Sequence, residues 1–225
     1  MCDVALDAYI NAHDFILLDR RVESTVKSDI LESTLYTQLA ADNKVPSMTD
    51  YSRWRQTYLD AMTTFGWRLR TKNNYNLAPD TSAGLNVWAL ITDIFIRSDV
   101  ARLPDAAPGL AALASPLLAQ MRQREGTAPI SHATSIALSS RQFQVSLVSA
   151  EHILYSALVS FNTAQPLDDD PLLTSLDPTL IVGDIDAMFF SAELLDIHYE
   201  LYRDAFESAL AERKKTLTVR VGQEQ

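Results

Sequence analysis

Between Ala133 and Thr163 the chain runs without a glycine or a proline, and most of that stretch alternates at the period of a β-strand. Phe143, Val145 and Leu147 face one way, while Gln142, Gln144 and Ser146 face the other. After a break near Ser149 to His152 the odd positions turn apolar again, at Ile153, Tyr155, Ala157, Val159 and Phe161. Two such runs predict paired strands over 135–147 and 153–163. A serine-rich alternating pair has two physical outcomes. It lays one face on a protein core, or it places that face in lipid as part of a membrane barrel, where a spanning strand needs about 9–11 residues. Leu154 and Leu158 put apolar groups on the supposed wet face of the second run, which favours a sheet covered on both sides.

The flanking sequence supplies the cover. Val22, Val26, Ile30, Leu35 and Leu39 recur at helical spacing, and Asn43, Lys44 and Pro46 close that helix. A second helix is expected from Tyr51 through Trp54, Tyr58, Met62 and Phe65, capped by Ser47 or Thr49 and stopped at Gly66. Trp67 to about Lys72 alternates as a short strand, and Asn73, Asn74, Asn76 and Pro79 suggest the loop after it. A third helix follows through Leu85, Trp88, Ile91 and Phe95, with Thr81 or Ser82 as its cap. All three tryptophans lie between 54 and 88, and at helical spacing they read as core. Pro108 and the Ser115–Pro116 pair suggest helical turns within an Ala- and Pro-rich connector over 98–130. Past the alternating pair, a strand region around 180–190, a long helix over 192–215 and a last strand over 216–221 complete the pattern. Tyr9 to Leu18 fits a short helix or a strand.

These segments define an α+β fold in a single domain, 1–225. A helical N-terminal half, about 1–128, packs on an antiparallel sheet formed mainly by a β-rich part with a long helix, about 129–225.

Charge and composition remove several functions. A net charge of −10 repels a phosphate backbone, so no nucleic-acid partner is expected. The basic concentration from Arg53 to Lys72 reads as a solvated face. One cysteine, Cys2, allows no internal disulfide, and the four histidines lack ligand spacing for a zinc site. No nucleophile elbow, zinc-protease motif, phosphate loop or dinucleotide fingerprint is present, and six glycines are too few for a backbone phosphate cradle. No catalytic residue and no cofactor is therefore expected.

Asp168, Asp169 and Asp170 are the one candidate metal cluster, since hard cations want grouped oxygens, but solvated aspartates that cap turns are the preferred reading of them. Glu193 and Asp196 share a helix face with His198 displaced from it, which reads as dipole compensation. The start of the chain lacks a basic segment and an apolar run of signal-peptide type, which points to a cytoplasmic protein or one released without a signal peptide. The first functional expectation is a non-enzymatic binding or assembly protein, with a protein partner or a homo-oligomer. The alternative is a membrane-active, pore-forming type of protein made in soluble form, with Phe143, Val145 and Leu147 on the strand that would meet a membrane or an interface. A hydrolase with an unrecognised site comes third.

Overall fold

The computed structural model describes residues 6–45, 50–79, 85–98, 140–166, 172 and 175–221. It bears out the α+β class. The elements run β1 (Leu6–Asn11), β2 (Asp14–Asp19), α1 (Ser24–Lys44), α2 (Tyr51–Thr64), β3 (Trp67–Leu77), β4 (Leu85–Asn86), α3 (Val87–Arg97), β5 (Ser140–Val148) and β6 (Ile153–Thr163). Then come β7 (Ser175–Leu176), a 3-10 turn (Pro178–Leu180), β8 (Ile181–Leu194), α4 (Asp196–Tyr199), α5 (Arg203–Leu210), α6 (Lys214–Leu217) and β9 (Thr218–Val221).

Seven strands form one sheet in the order β3-β8-β6-β5-β2-β1-β9, and β4 pairs with β7 apart from it. The expected β5–β6 hairpin sits at the centre, with Phe143 opposite Val159 and Val145 opposite Ala157. Its tight turn holds His152 at φ 63°, a conformation His tolerates better than most residues. The sheet is mixed: β2 lies parallel to β5, Asp14 beside Gln144 and Leu18 beside Val148. A parallel neighbour needs a long crossover, and everything between β2 and β5 supplies it.

Both faces of the sheet are covered. One face, with Phe15, Leu17, Phe143, Val145, Leu147, Ala157, Val159, Phe161, Ile185, Ala187 and Phe189, packs on Val87, Trp88, Leu90, Ile91, Ile94 and Phe95 of α3. The other, with Ile16, Leu18, Val148, Leu154, Leu158, Met188 and Phe190, packs on Ile30 and Leu31 of α1 and Trp54, Tyr58, Leu59 and Met62 of α2. Trp54, Trp67 and Trp88 are all buried, as expected of core. A third cluster joins Leu35 to Tyr199, Phe206 and Leu210, with Tyr36 stacked on Phe206 at 4.0 Å.

Several elements differ from the sequence expectation. Tyr9 to Leu18 is neither a helix nor a lone strand but the β1–β2 hairpin. The loop expected at Asn73, Asn74 and Asn76 is the second half of β3, held straight by pairing with β8 from Thr71 to Leu77. Asparagine disfavours strands only weakly, and a long partner strand overrides it. Asp50 caps α2, accepting from the amide of Arg53 at 3.0 Å, and Asn86 caps α3, accepting from Ala89 at 2.7 Å. The long helix expected over 192–215 begins later and is broken into α4, α5 and α6, because pairing with β3 keeps Ala192 to Leu194 extended. Its apolar stripe still turns inward at Tyr199, Phe206 and Leu210. The helical turns expected at Pro108 and Ser115–Pro116, and strand residues 135–139, lie outside the described residues.

Candidate functional site

β2, β5 and β6 each send a polar side chain to the same point on the face of the sheet covered by α1 and α2. Asp14 opens β2; Gln144 and Ser146 follow each other on that face of β5; Ser156 stands opposite Ser146 on β6. The Ser146 hydroxyl lies 2.7 Å from Asp14 Oδ2 and 2.9 Å from Ser156 Oγ. The Gln144 side-chain amide lies 3.0 Å from Asp14 Oδ2, 3.1 Å from Ser156 Oγ and 3.3 Å from the Tyr58 hydroxyl. With two protons for three acceptors, that nitrogen shares them. Tyr58, from α2, roofs the cluster and stacks on Trp54 at 5.3 Å.

The cluster is dry. Asp14 is 1% exposed, and Ser146, Ser156 and Tyr58 are 0% exposed. Asp14 Oδ1 and Gln144 Oε1 are buried without a hydrogen-bond partner among the described residues. Burial pushes the Asp14 carboxyl up to about 7, against the opposing pull of its bonds from Ser146 and Gln144. Burial, with Asp14 beside it, also pushes the Tyr58 hydroxyl up.

A second polar seam ties α1 to the sheet edge. Asn11 is fully buried and donates from Nδ2 to the Leu31 carbonyl and to Thr34 Oγ1, both at 2.9 Å. Gln38 donates to the Asn11 carbonyl at 3.1 Å and accepts from the His13 amide at 2.9 Å. Thr218 of β9 donates to Asn11 Oδ1 at 2.6 Å. Asp42 bridges His13 at 2.8 Å and the Trp54 ring N–H at 2.7 Å. The buried residues of α1 thus include Asp29, Glu32, Ser33, Thr34, Thr37 and Gln38 beside Ile30, Leu31 and Leu35. The contact of α1 with its surroundings is hydrogen-bonded as much as oily.

A surface cleft of about 660 Å³ lies where α1 meets α4, α5 and α6. Five of the charged side chains in its wall are paired with one another. Arg203 donates to Asp29 at 2.9 and 3.0 Å and to Asp196 at 2.7 Å, and Lys214 donates to Glu32 at 2.8 Å.

The residues singled out from sequence fall in separate places. Phe143, Val145 and Leu147 are buried on the opposite, apolar face of β5, under α3, away from the polar cluster. Asp168, Asp169 and Asp170 lie outside the described residues, as does His132. Among the described residues no group of three His, Cys, Asp or Glu side chains is placed to hold a metal ion. Asp177 caps the 3-10 turn, accepting from Thr179 at 2.9 Å. Glu193 accepts from Arg68 and, at 2.9 Å, from Arg70 across the β8–β3 pair, and Asp196 is held by Arg203. The serine face of the hairpin was visible in the sequence. Asp14 and Tyr58 were not, since each reaches the cluster from an element more than 80 residues away in the chain.

These features define a helix-clad sheet with one face apolar at its centre and one face polar there. No protein-family model and no curated protein matches the chain. Among solved structures it is distantly similar to the activated Cyt2Ba monomer from Bacillus thuringiensis subsp. israelensis, at a TM-score of 0.42 and 11% identity over 83% of this chain and 99% of that one. It is also similar to the Evf virulence factor, at a TM-score of 0.34 and 9% identity over 94% of this chain and 84% of the other. Scores and identities this low place no activity on the chain.

Proposed function

We propose that the protein acts on membranes, by parting α3 from one face of the sheet and the α1–α2 layer from the other, so that the apolar side of β5, β6 and β8 meets lipid and the side with the polar cluster meets water. The observation that carries this reading is the difference between the two covered faces. Burial on both sides selects for apolar residues on both sides of a sheet. Here one face is apolar across its middle, with buried polar residues such as Arg141, Thr163 and Ser191 only toward the strand ends, and the other holds Asp14, Gln144, Ser146 and Ser156 at its middle. A lipid-facing side that is apolar and a water-facing side that is polar is the pattern of a membrane-spanning sheet. The lengths suit it: β5 has 9 residues, β6 and β3 have 11, and β8 has 14, against the roughly 9–11 that a spanning strand requires. Among the described residues no helix is long and apolar enough to cross a membrane, so strands would carry the insertion.

Release of an encapsulated dye from phosphatidylcholine vesicles, with and without anionic lipid, tests the reading. Micromolar protein is expected to empty the vesicles. No release at any point from about pH 5 to about pH 8, the range over which Asp14 titrates, would end it.

A further inference from the structure

Asp14 lies where two layers meet, so its charge is a property of their contact. It opens β2 just past the turn at Ala12 and His13. The sheet supplies its partners Gln144 and Ser146, with Ser156 behind them, and α2 supplies Tyr58, whose hydroxyl is 3.3 Å from the Gln144 amide. The carboxyl sits between them, out of reach of solvent.

This setting stabilises a negative charge poorly. Two donors reach Asp14 Oδ2, and Oδ1 has none among the described residues. From α2, Tyr58 faces the carboxyl, and burial together with Asp14 keeps its hydroxyl protonated. From β2, His13 favours ionisation, but its ring Nε2 is 2.8 Å from Asp42 of α1. Asp42 is shared between that ring and the Trp54 N–H. The groups that β5 and β6 bring to the cluster, Gln144, Ser146 and Ser156, are uncharged. A buried carboxylate without a cation in contact is costly, so the acid stays neutral at low pH. At higher pH, hydration is what relieves it.

The tethers decide which element gives way. The turn beside Asp14 is clamped, because the Ala12 amide donates to the Leu217 carbonyl at 2.7 Å and the His13 amide to Gln38 at 2.9 Å. β5 and β6 are each paired along both sides. The helix α2 instead meets the sheet through the side chains of Trp54, Tyr58, Leu59 and Met62. Lifting it breaks no strand ladder, whereas moving β5 or β6 breaks two.

We propose that Asp14 is a pH gate: ionisation of its carboxyl lifts α2 from the sheet and admits water to the charge, while β5 and β6 stay paired. The gate opens toward alkali. The carboxyl has its ordinary value of 3.8 when hydrated and about 7 when covered, so lifting grows easier as pH rises and levels off above the covered value. Between about pH 6 and about pH 8 the lifted fraction grows roughly tenfold. The gate belongs to the folded protein in water, so a failure of the vesicle test leaves it standing.

Native-state hydrogen exchange of the wild-type protein without lipid, corrected for the intrinsic effect of pH on exchange, tests it. The α2 amides around Tyr58 are expected to open more readily than those of β5 and β6, and roughly tenfold more often at pH 8 than at pH 6. Asp14→Asn removes the charge and is expected to abolish that rise. Ser146→Ala keeps the carboxyl and removes one of its two donors, so the rise is expected to level off at higher pH than in the wild type. An α2 whose opening is flat across this range overturns the proposal, and so does an α2 that opens only together with β5 and β6. A rise that persists in Asp14→Asn, or a levelling-off that Ser146→Ala leaves in place, overturns it too.

Discussion

The Asp14 carboxyl is the residue most out of place in this core, and its cost depends on pH. Its folded value of about 7 lies above the ordinary 3.8. An acid raised in the folded state favours folding below its unfolded value, and that contribution is lost as pH rises to the folded one. Between about pH 5 and pH 8 the loss amounts to roughly 3 kcal/mol. Asp7 and Asp19 behave oppositely and at lower pH. Arg21 draws Asp19 below the usual range, while for Asp7 burial pulls upward and is outweighed by hydrogen bonds from Lys27 and Arg220. Asp14→Asn is therefore expected to flatten the dependence of urea-unfolding stability on pH over that window, and to exceed the wild type at pH 8. Parallel profiles for the two proteins would refute the assignment. Gly66 makes a second residue-scale case. It sits at φ +97°, and a Cβ there would lie 3.1 Å from the Tyr199 amide nitrogen and 3.3 Å from its Cα. Backbone atoms cannot yield as a flexible side chain can. Gly66→Ala is expected to cost roughly 1–3 kcal/mol from the backbone conformation alone, read as a lower urea midpoint; an unchanged midpoint would contradict it.

Among the elements, α1 is the one whose burial is least hydrophobic. Its attachment relies on Asn11, Thr34 and Gln38 within, and on Asp29 with Arg203 and Glu32 with Lys214 at the rim. Exposed or half-exposed ion pairs contribute about 0–1 kcal/mol each, and neutral hydrogen bonds about 0.5–1.5 kcal/mol net. Strands β5 and β6, by contrast, are buried on both faces across most of their length. Native-state hydrogen exchange is expected to show α1 amides opening at lower free energy than those of β5 and β6. Equal protection would mean that the helix layer parts only on global unfolding, and would remove the step on which the membrane reading rests.

For the molecule as a whole, legibility followed locality. The three long helices could be read because Ile30, Leu35, Trp54, Tyr58, Ile91 and Phe95 repeat within their own segments, and the β5–β6 pair because Phe143 to Leu147 alternates. What stayed hidden depends on partners far along the chain. Asn73 to Asn76 read as a loop until β8 paired with it, and Asp14 and Asn11 broke an alternation that only α1, β5 and β9 restore. The buried polar cluster was half visible: Gln144, Ser146 and Ser156 stood out as the wet face of a hairpin, while Tyr58 and Asp14 are brought there by tertiary packing alone.

The pairing of β1 with β9 carries a consequence for biosynthesis. Asn11 waits for Thr218, 207 positions later, to satisfy its side-chain oxygen, and β2 waits for β5 across 130 residues. When it is synthesised, the β1–β2 hairpin therefore has neither lateral neighbour, and it stays a two-stranded ribbon, marginal in water, until β5 and β9 follow. Contacts this distant make folding slow. The sheet is assembled as a clasp, fastened only after residue 221 has emerged, and the nascent chain must be kept from pairing elsewhere until then.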